Sequence, residues 1–371
     1  MVKKIRATGT LILVILWGGL ATFNLLLPAK EASLVERRPL NQFPKITADS
    51  IFSGRFMESF EKYTNDQFPA RDTFRRIKTL THLYLLGQQD VNDLYLTEGY
   101  LVEENHPLVP DYPTNATTAF QAVYDQYLKK SGSKVFCAVI PDKGYYLAQS
   151  SGHLTPDYDA LFALVEEKMP YATHIPLTDV LSKESYYYTD THWRQETLLP
   201  VVQRLCSEMG VPAPQPEDFN VVDSGISFYG VYHGQAALPL PAEPLYLMES
   251  PILDGCTVSI HNGKKFVPVS YQGVYDREKL SSKEPYDVFL SGPQSVIQIE
   301  NPNAATDREL IIFRDSFGSS LTPLLAGQYK TVTLVDIRYV DRRMLTRYVD
   351  FHGQNVLFLY SSLVLNKDII R

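Results

Sequence analysis

Two short motifs, far apart in the chain, together contain the side chains of a serine hydrolase or acyltransferase. The first is Asp190-Thr191-His192-Trp193, and the second is Asp315-Ser316-Phe317. A serine hydroxyl becomes an effective nucleophile when an imidazole lies within hydrogen-bond reach. The imidazole in turn needs a carboxylate that fixes its tautomer. We therefore predict Ser316 as the nucleophile, His192 as the base and Asp190 as its partner.

Each motif also has a structural interpretation. Asp315 and Ser316 are residue types that often cap helices, and a single histidine such as His192 is more often structural than catalytic. Ser316 can be both a helix cap and a nucleophile, because a helix N-terminus offers N–H donors and a dipole that favour a developing oxyanion. Trp193 is interpreted as packing, with the lining of a sugar site as the alternative.

Four residues are weaker candidates for oxyanion or substrate binding. Gly292 ends an apolar run, so its N–H could join an oxyanion hole. Arg338 follows another apolar run, and its guanidinium could bind a carboxylate or an oxyanion. Lys143 lies after a third run, where a solvated loop charge is the alternative, and Trp193 is the fourth candidate. No metal motif or cofactor motif is present, since the three cysteines form no CxxC pair.

The amino-acid composition limits the classes of function that the chain can have. The 371 residues are 44% hydrophobic and 21% charged, as in an ordinary packed protein. A net charge of −7 offers no basic surface for nucleic acid.

The amino terminus predicts a membrane anchor. Lys3, Lys4 and Arg6 precede an apolar stretch over residues 8–28, which is long enough to span a bilayer as a helix. The basic flank favours an N-terminus-in orientation, which makes residues 1–7 a cytoplasmic stub and places the rest outside. A cleaved signal peptide is the alternative, but the sequence after Pro28 lacks a clear cleavage site.

The rest of the chain predicts an α/β fold that would position the motifs. Residues 134–140 form an apolar run that is typical of a strand buried on both faces. Three later runs, residues 310–313, 331–336 and 356–360, are separated by helix-length intervals, which indicates a doubly wound, mostly parallel sheet with helices on both faces. Ser316 then lies where a strand ends and a helix begins, at the edge where such sheets bind ligands. Residues 211–305 have no clear helical pattern and are interpreted as a β-rich insertion.

Before these strands, residues 29–50 are expected to form an extended linker, and residues 51–371 to form the extracytoplasmic domain. Two helices are predicted in the first part of this domain, because apolar residues recur at steps of three and four. The first begins near Asp49 or Ser50, and the second runs over residues 71–86.

Taken together, these residues resemble the DHHW family of bacterial surface proteins and, through it, the SGNH-like O-acetyltransferases of alginate biosynthesis. The resemblance extends over most of residues 36–365. Its segments are Glu36-Arg37, Asp66-Gln67-Phe68-Pro69-Ala70-Arg71, Pro141-Asp142-Lys143, Tyr188-Thr189-Asp190-Thr191-His192-Trp193, Asp315-Ser316-Phe317 and Asp336-Ile337-Arg338-Tyr339.

The resemblance implies an SGNH-hydrolase-like (flavodoxin-like) domain with the triad Ser316, His192 and Asp190. Arg314 replaces the glycine of the GDS block, Thr191 replaces the first histidine of the family name, and no asparagine can be assigned to the oxyanion hole. It also implies a polysaccharide acceptor and a multispanning membrane acyltransferase that delivers the acetyl group.

Two hypotheses follow. The first is a membrane-anchored O-acetyltransferase or acetylesterase that acts on a cell-surface or exported polysaccharide. The second is a non-catalytic assembly or binding protein with a vestigial triad, which Arg314 and the missing asparagine favour.

Overall fold

The computed structural model describes residues 8–10, 14–15, 17–19, 22 and 27–370. The chain divides into a smaller unit, Met1–Val91 with His233–Pro239, and a larger unit, Asn92–Tyr232 with Leu240–Arg371. Among the described residues, no helix combines the length and apolarity needed to cross a bilayer. The predicted stub, residues 1–7, and much of the predicted anchor, residues 8–28, lie outside the described residues.

The smaller unit is mainly helical. Two short strands pair antiparallel before three helices, a single π turn extends the last helix, and a two-residue strand ends the segment. In chain order these elements are β1 (Ala32–Ser33), β2 (Arg38–Pro39), α1 (Ala48–Phe52), α2 (Arg55–Asp66), α3 (Arg71–Leu80), the π turn (Thr81–Leu85) and β3 (Asp90–Val91).

The first predicted helix is present as two helices, α1 and α2. Gly54, at the junction, has a φ of 77°, a left-handed conformation that interrupts the helix and suits glycine. The cap of α1 is Thr47 rather than the predicted Asp49 or Ser50. Thr47 and Ser50 form a reciprocal capping box.

Ion pairs connect the segments of the smaller unit that carry the family resemblance. The Asp66 carboxylate accepts two hydrogen bonds from the Arg38 guanidinium, at 2.6 and 3.0 Å, and one from the Asn41 N–H at 2.9 Å. Arg71 pairs with Glu36. Because Arg38 binds the ionised form of Asp66, the pKa of this carboxyl lies well below its usual range. These motif residues therefore stabilise the smaller unit.

The larger unit is built around an eight-stranded sheet. Its strands, in chain order, are β6 (Lys134–Ile140), β7 (Thr173–His174), β10 (Thr257–His261), β11 (Phe266–Pro268), β12 (Val296–Glu300), β13 (Glu309–Arg314), β14 (Thr331–Val335) and β15 (Asn355–Ser361). Their order across the sheet is β11-β10-β12-β14-β13-β15-β6-β7. The strands from β14 to β7 are parallel, while β10, β11 and β12 join antiparallel. The predicted α/β class with a mostly parallel sheet is confirmed.

Four further strands lie outside this sheet. Two of them form a hairpin, and the other two form a separate antiparallel ribbon. The hairpin strands are β4 (Leu94–Thr97) and β5 (Tyr100–Glu103), and the ribbon strands are β8 (Asn220–Phe228) and β9 (Glu243–Glu249). The hairpin turns at Glu98-Gly99.

Helices cover both faces of the sheet. In β13, Leu310 and Ile312 face one apolar cluster, whereas Ile311 and Phe313 face the other. This alternation follows from the two-residue period of a strand. The helices that follow α3 in the chain are α4 (Asp111–Val123, continued by the π turn Tyr124–Leu128), α5 (Gly144–Ser151), α6 (Tyr158–Lys168), α7 (Leu199–Met209), α8 (Val231–Ala236), α9 (Pro251–Asp254), α10 (Gly318–Leu325) and α11 (Ser362–Leu365). From His233 on, α8 belongs to the smaller unit.

Residues 211–305 are more varied than the sequence pattern suggests. Two short helices, α8 and α9, occur in this segment. Its strands β8 and β9 form the separate ribbon, but β10, β11 and β12 extend the central sheet. This part of the chain therefore contributes to the main sheet.

Candidate active site

Ser316 lies in the turn between β13 and α10, at the carboxyl edge of the parallel strands. Its neighbours Arg314, Asp315 and Phe317 are buried, whereas Ser316 is partly exposed. The Asp315 carboxylate fixes this turn by accepting hydrogen bonds from the N–H groups of Phe317, at 3.0 Å, and Ser361, at 2.8 Å. Both oxygens of Asp315 are thus used for structure, and its neighbour Ser316 faces solvent.

Asp190, His192 and Ser316 form a continuous hydrogen-bonded chain. His192 Nε2 lies 2.8 Å from Ser316 Oγ, and His192 Nδ1 lies 2.6 Å from Asp190 Oδ1. The two motifs are separated by 124 positions in the sequence, so the fold alone brings them together. The arrangement can remove a proton from the Ser316 hydroxyl and hold it on a carboxylate-supported imidazole.

The surroundings of Asp190 favour its charged form. Burial opposes ionisation of Asp190, but the interaction with His192 and hydrogen bonds from the N–H groups of His192 and Val231 outweigh it. The pKa of this carboxyl therefore lies well below its usual value. A carboxylate that stays ionised can orient His192 over the whole neutral pH range.

The turn at Ser316 leaves one backbone donor available. The N–H of Phe317 binds Asp315 Oδ1, and the N–H groups of Gly318 and Ser319 bind the carbonyls of Asp315 and Ser316. Within the part of the chain that the structure describes, the Ser316 N–H has no hydrogen-bond partner. It is consequently the donor of this turn that could stabilise an oxyanion.

Trp193 is fully buried and packs beneath the nucleophile, so the sugar-lining alternative does not fit its position. Its indole N–H donates to the Phe317 carbonyl at 3.1 Å and to Ser320 Oγ at 2.9 Å. Gln195 adds a hydrogen bond to the Ser320 carbonyl at 2.8 Å. The histidine motif is therefore attached directly to the helix that follows Ser316.

Lys143 holds the other end of the histidine motif. Its buried ammonium donates to the carbonyls of Tyr187, Tyr188 and Asp190 at 2.9, 3.3 and 2.8 Å. These contacts use its three donors, so the predicted role in binding substrate is not supported. Burial lowers the pKa of Lys143 to about 7.

Gly292 and Arg338 are also engaged elsewhere. The Gly292 N–H donates to the Phe289 carbonyl at 3.2 Å, so it is not available for an oxyanion in this conformation. Arg338 binds Asp336 through two hydrogen bonds of 2.9 and 2.6 Å. The structure supplies no contact of either residue with the triad, and their proposed roles stay predictions.

Arg314, which departs from the family pattern, lies behind the nucleophile turn. Its guanidinium donates at 3.3 Å to the carbonyls of Asp315 and Gln294 and is buried. A Cβ at Gly318 would lie 2.9 Å from the Arg314 Cβ, which is too close for two carbons. Glycine at 318 thus makes room for the arginine stem.

Two residues near the triad were not predicted from the sequence. The Tyr286 ring stacks on the His192 imidazole with centroids 4.1 Å apart and planes 12° apart, and its hydroxyl donates to Ser320 Oγ at 2.8 Å. Gly230 approaches the Asp190 loop so closely that a Cβ there would lie 2.2 Å from the Thr189 carbonyl oxygen. Only glycine allows the next N–H to reach Asp190.

Comparison with known proteins is consistent with this fold. The model of the family described as "DHHW protein" matches residues 178–335, a range that contains Asp190, His192 and Ser316. The resemblance to the DHHW family is confirmed. A search of curated proteins finds no significant match.

Two solved structures with TM-scores above 0.6 share the fold at low sequence identity. A DHHW family protein from Eubacterium siraeum is 18% identical with a TM-score of 0.61, covering 75% of this chain and 93% of that one. Bacillus cereus PatB1, solved with a sulfonyl adduct, is 18% identical with a TM-score of 0.62, covering 75% and 97%. The O-acetyltransferase domain of Pseudomonas putida AlgJ is 13% identical and covers 74% and 92%, with a TM-score of 0.42.

Proposed function

We propose that this chain is a serine O-acetyltransferase or acetylesterase that acts on the hydroxyl groups of a cell-surface or exported polysaccharide. The observation that carries the proposal is the hydrogen-bonded chain Asp190–His192–Ser316, whose distances suit proton transfer. The family resemblance is the reason for proposing acetyl as the transferred group and a polysaccharide as the acceptor.

The reaction proceeds in two steps. Ser316 Oγ attacks the carbonyl carbon of an acetyl ester while His192 Nε2 takes the hydroxyl proton, and the Ser316 N–H supports the oxyanion. The leaving alcohol departs with that proton and leaves an acetyl-serine. A sugar hydroxyl then attacks the acetyl carbon, gives its proton to His192, and Ser316 leaves and recovers the proton. With water in place of the sugar, the same steps make an esterase.

The proposed location is the outer face of a membrane. Residues 8–28 would anchor the chain, and the basic residues Lys3, Lys4 and Arg6 would stay inside. An acetyl donor must then cross the membrane, so a multispanning acyltransferase is the proposed partner. Alkaline phosphatase fused after Arg371 should be active in cells, because this enzyme requires export. An inactive fusion that is present at normal levels would contradict this location.

The chemistry is tested on the full chain in detergent. A sulfonyl fluoride should add one sulfonyl group to Ser316, and a small activated acetyl ester should be hydrolysed. Ser316→Ala and His192→Ala should abolish both reactions, with rate losses of about 10⁴-fold or more. The controls Ser207→Ala and His352→Ala change exposed residues and should leave the rates unchanged.

Further outcomes of this experiment distinguish a transferase, an esterase and a non-catalytic protein. Acetyl groups that appear on an added oligosaccharide, detected by mass, indicate a transferase, whereas acetate alone indicates an esterase. If the folded wild-type chain shows no adduct and no turnover, the serine chemistry is refuted. The assembly or binding protein then becomes the better proposal.

A further inference from the structure

Arg314, behind the nucleophile turn, is a buried cation with few partners. It is 1% exposed, and among the described residues its guanidinium forms no ion pair with a carboxylate. Nη1 and Nη2 donate at 3.3 Å to the carbonyls of Asp315 and Gln294, and in the described part of the chain Nε has no partner. A buried charge without an opposite charge is unfavourable for folding. Local departures of this kind are typical of functional sites.

One of these hydrogen bonds reaches the peptide group that carries the proposed oxyanion donor. The Asp315 carbonyl and the Ser316 N–H belong to a single peptide unit, whose resonance couples its two ends. This carbonyl accepts from Arg314 Nη1 at 3.3 Å and from the Gly318 N–H at 3.2 Å, so both of its lone pairs are used. Hydrogen bonds in such a chain polarise one another. The arginine therefore makes the Ser316 N–H a stronger donor.

The guanidinium is held in this position from two sides. Gln294, whose carbonyl accepts from Nη2, is itself fixed, because its N–H donates to the Gly292 carbonyl at 2.9 Å and its side-chain amide donates to the Ser291 carbonyl at 3.1 Å. On the other side, the absence of a side chain at Gly318 leaves space for the arginine stem. The charge of Arg314 therefore stays behind the turn and does not reach solvent.

Arg314 also offsets the charge of the residue that follows it. The Asp315 carboxylate is fully buried next to Ser316, and its negative charge opposes a second negative charge on a bound substrate oxygen. Asp336 and Asp315 are the carboxylates that interact most strongly with Arg314. Asp336 is already paired with Arg338. The charge that Arg314 balances is therefore mainly that of Asp315.

We propose that Arg314 strengthens the oxyanion donor of the candidate site, by polarising the peptide group of Ser316 and by offsetting the charge of Asp315. Both effects grow as the carbonyl oxygen of the acetyl ester becomes negative, so they stabilise the transition state more than the ground state. Arg314 acts through the Ser316 N–H and does not touch the substrate, which makes it a positioning residue. The inference rests on the proposed serine chemistry.

The test compares variants of the full chain in detergent, with a small activated acetyl ester as the substrate. Arg314→Met keeps the length of the side chain and removes its charge, whereas Arg314→Lys keeps the charge. Arg308→Met is the matched control, because Arg308 also donates to a backbone carbonyl, that of Gly210 at 2.8 Å, but is exposed and precedes the other end of β13. Urea unfolding shows whether each variant is folded, and Arg314→Gln replaces Arg314→Met if the latter is not.

Arg314→Met should lower kcat by about tenfold to a hundredfold and leave KM within about twofold, because the neutral ground state gains little from a stronger donor. Loss of a whole oxyanion donor lowers kcat by about 10²- to 10³-fold, which sets the upper limit for a donor that is only weakened. Arg314→Lys should fall between Arg314→Met and wild type. Arg308→Met should behave as wild type.

Methylboronic acid gives a second readout. Ser316 Oγ adds to boron while its proton passes to His192 Nε2, and the resulting tetrahedral adduct carries a negative charge, as the oxyanion does. The inhibition constant should rise by about tenfold or more in Arg314→Met and by less in Arg314→Lys. A purely structural role would not make the affinity for an anionic adduct depend on the charge at position 314.

Three results would overturn the inference while the serine chemistry stands. Arg314→Met could keep the kcat of wild type. Arg314→Met and Arg314→Lys could lose equal activity, which would mean that the shape of the side chain matters and its charge does not. KM could rise at unchanged kcat, which indicates substrate binding. If wild type reacts with neither the ester nor methylboronic acid, the proposed serine chemistry fails and this inference fails with it.

Discussion

Tyr286 restrains the base of the candidate triad from one side. Its ring lies parallel to the His192 imidazole, and its hydroxyl is attached to Ser320 on the helix after the nucleophile. The ring thus limits rotation of the imidazole away from Ser316. Tyr286 is a positioning residue in this arrangement, because it touches the base and not the serine.

Replacing Tyr286 by leucine should lower kcat by about tenfold to a hundredfold, since small displacements of a catalytic group have effects of this size. Tyr286→Phe keeps the ring and loses one hydrogen bond, so kcat should fall by about fivefold or less. KM should change little in both variants. The measurement is steady-state hydrolysis of a small acetyl ester.

The comparison between the two variants separates the ring from the hydroxyl. If Tyr286→Phe loses as much activity as Tyr286→Leu, the hydroxyl bond to Ser320 is responsible and the stacking argument fails. Unfolding in urea, followed for both proteins, shows whether either change alters the fold.

Only part of this site could be predicted at the residue scale. Asp190, His192 and Ser316 carry recognisable side chains within short motifs, so the sequence is sufficient to propose them as a triad. Tyr286 and Gly230 are ordinary residues in an irregular segment. Their importance arises from contacts over long sequence separations, such as the 41 positions between Asp190 and Val231, and no local pattern encodes these.

At the scale of elements, the link from β6 to α5 fixes the loop that carries the base. Asp142 is buried and accepts hydrogen bonds from Ser362 Oγ at 2.7 Å and the Gly144 N–H at 2.7 Å. Lys143 donates to three carbonyls of the histidine motif. Both residues at this strand end therefore serve the structure, so the alternative of a solvated loop charge does not fit Lys143.

The Lys143 contact predicts a pH dependence of stability. Burial lowers the pKa of Lys143 to about 7, from 10.5 for an exposed lysine. Between these pH values the unfolded chain binds a proton that the folded chain has lost, so the free energy of unfolding gains a contribution that rises with pH. The slope from this group is at most about 1.4 kcal/mol per pH unit.

Urea unfolding between about pH 6.5 and 9 measures this slope. Lys143→Met should remove the contribution, so the stability difference between wild type and variant should grow as the pH rises. Lys264→Met, which changes an exposed lysine, should give a line parallel to wild type. A Lys143→Met line parallel to wild type would instead show that the ammonium keeps its proton in the folded protein.

The central strands could be predicted from the sequence more completely than the way in which the whole sheet is assembled. The strands β6, β13, β14 and β15 are continuous apolar runs because both faces of the sheet are covered, and the sequence shows this directly. The extension of the sheet by β10, β11 and β12 was not predicted. These strands are short, and long irregular or helical segments separate β12 from its antiparallel partners β10 and β14 in the chain.

At the scale of the whole molecule, charge is distributed very unevenly. A net charge of −7 conceals a larger unit with 22 basic and 34 acidic residues, a net charge of −12, and this unit contains Asp190, His192 and Ser316. The nearby cations do little to offset this excess, because Arg338 is paired with Asp336 and burial lowers the pKa of Lys143 to about 7. We therefore expect an approaching polymer to meet a negative field at the candidate site.

This field predicts which acceptor the site prefers. A polyanionic polysaccharide should react with a kcat/KM about tenfold or more below that of a neutral one at low salt, because repulsion lowers the encounter rate. Raising the salt from about 0.02 to 0.5 M shortens the screening length and should narrow that gap, while the rate with the neutral acceptor stays nearly constant. Oligosaccharides of equal length, with and without carboxylates, are the matched substrates. A rate with the anionic acceptor that falls as salt is added would mean that a local basic groove guides the polymer, and that unit-wide charge does not set the specificity.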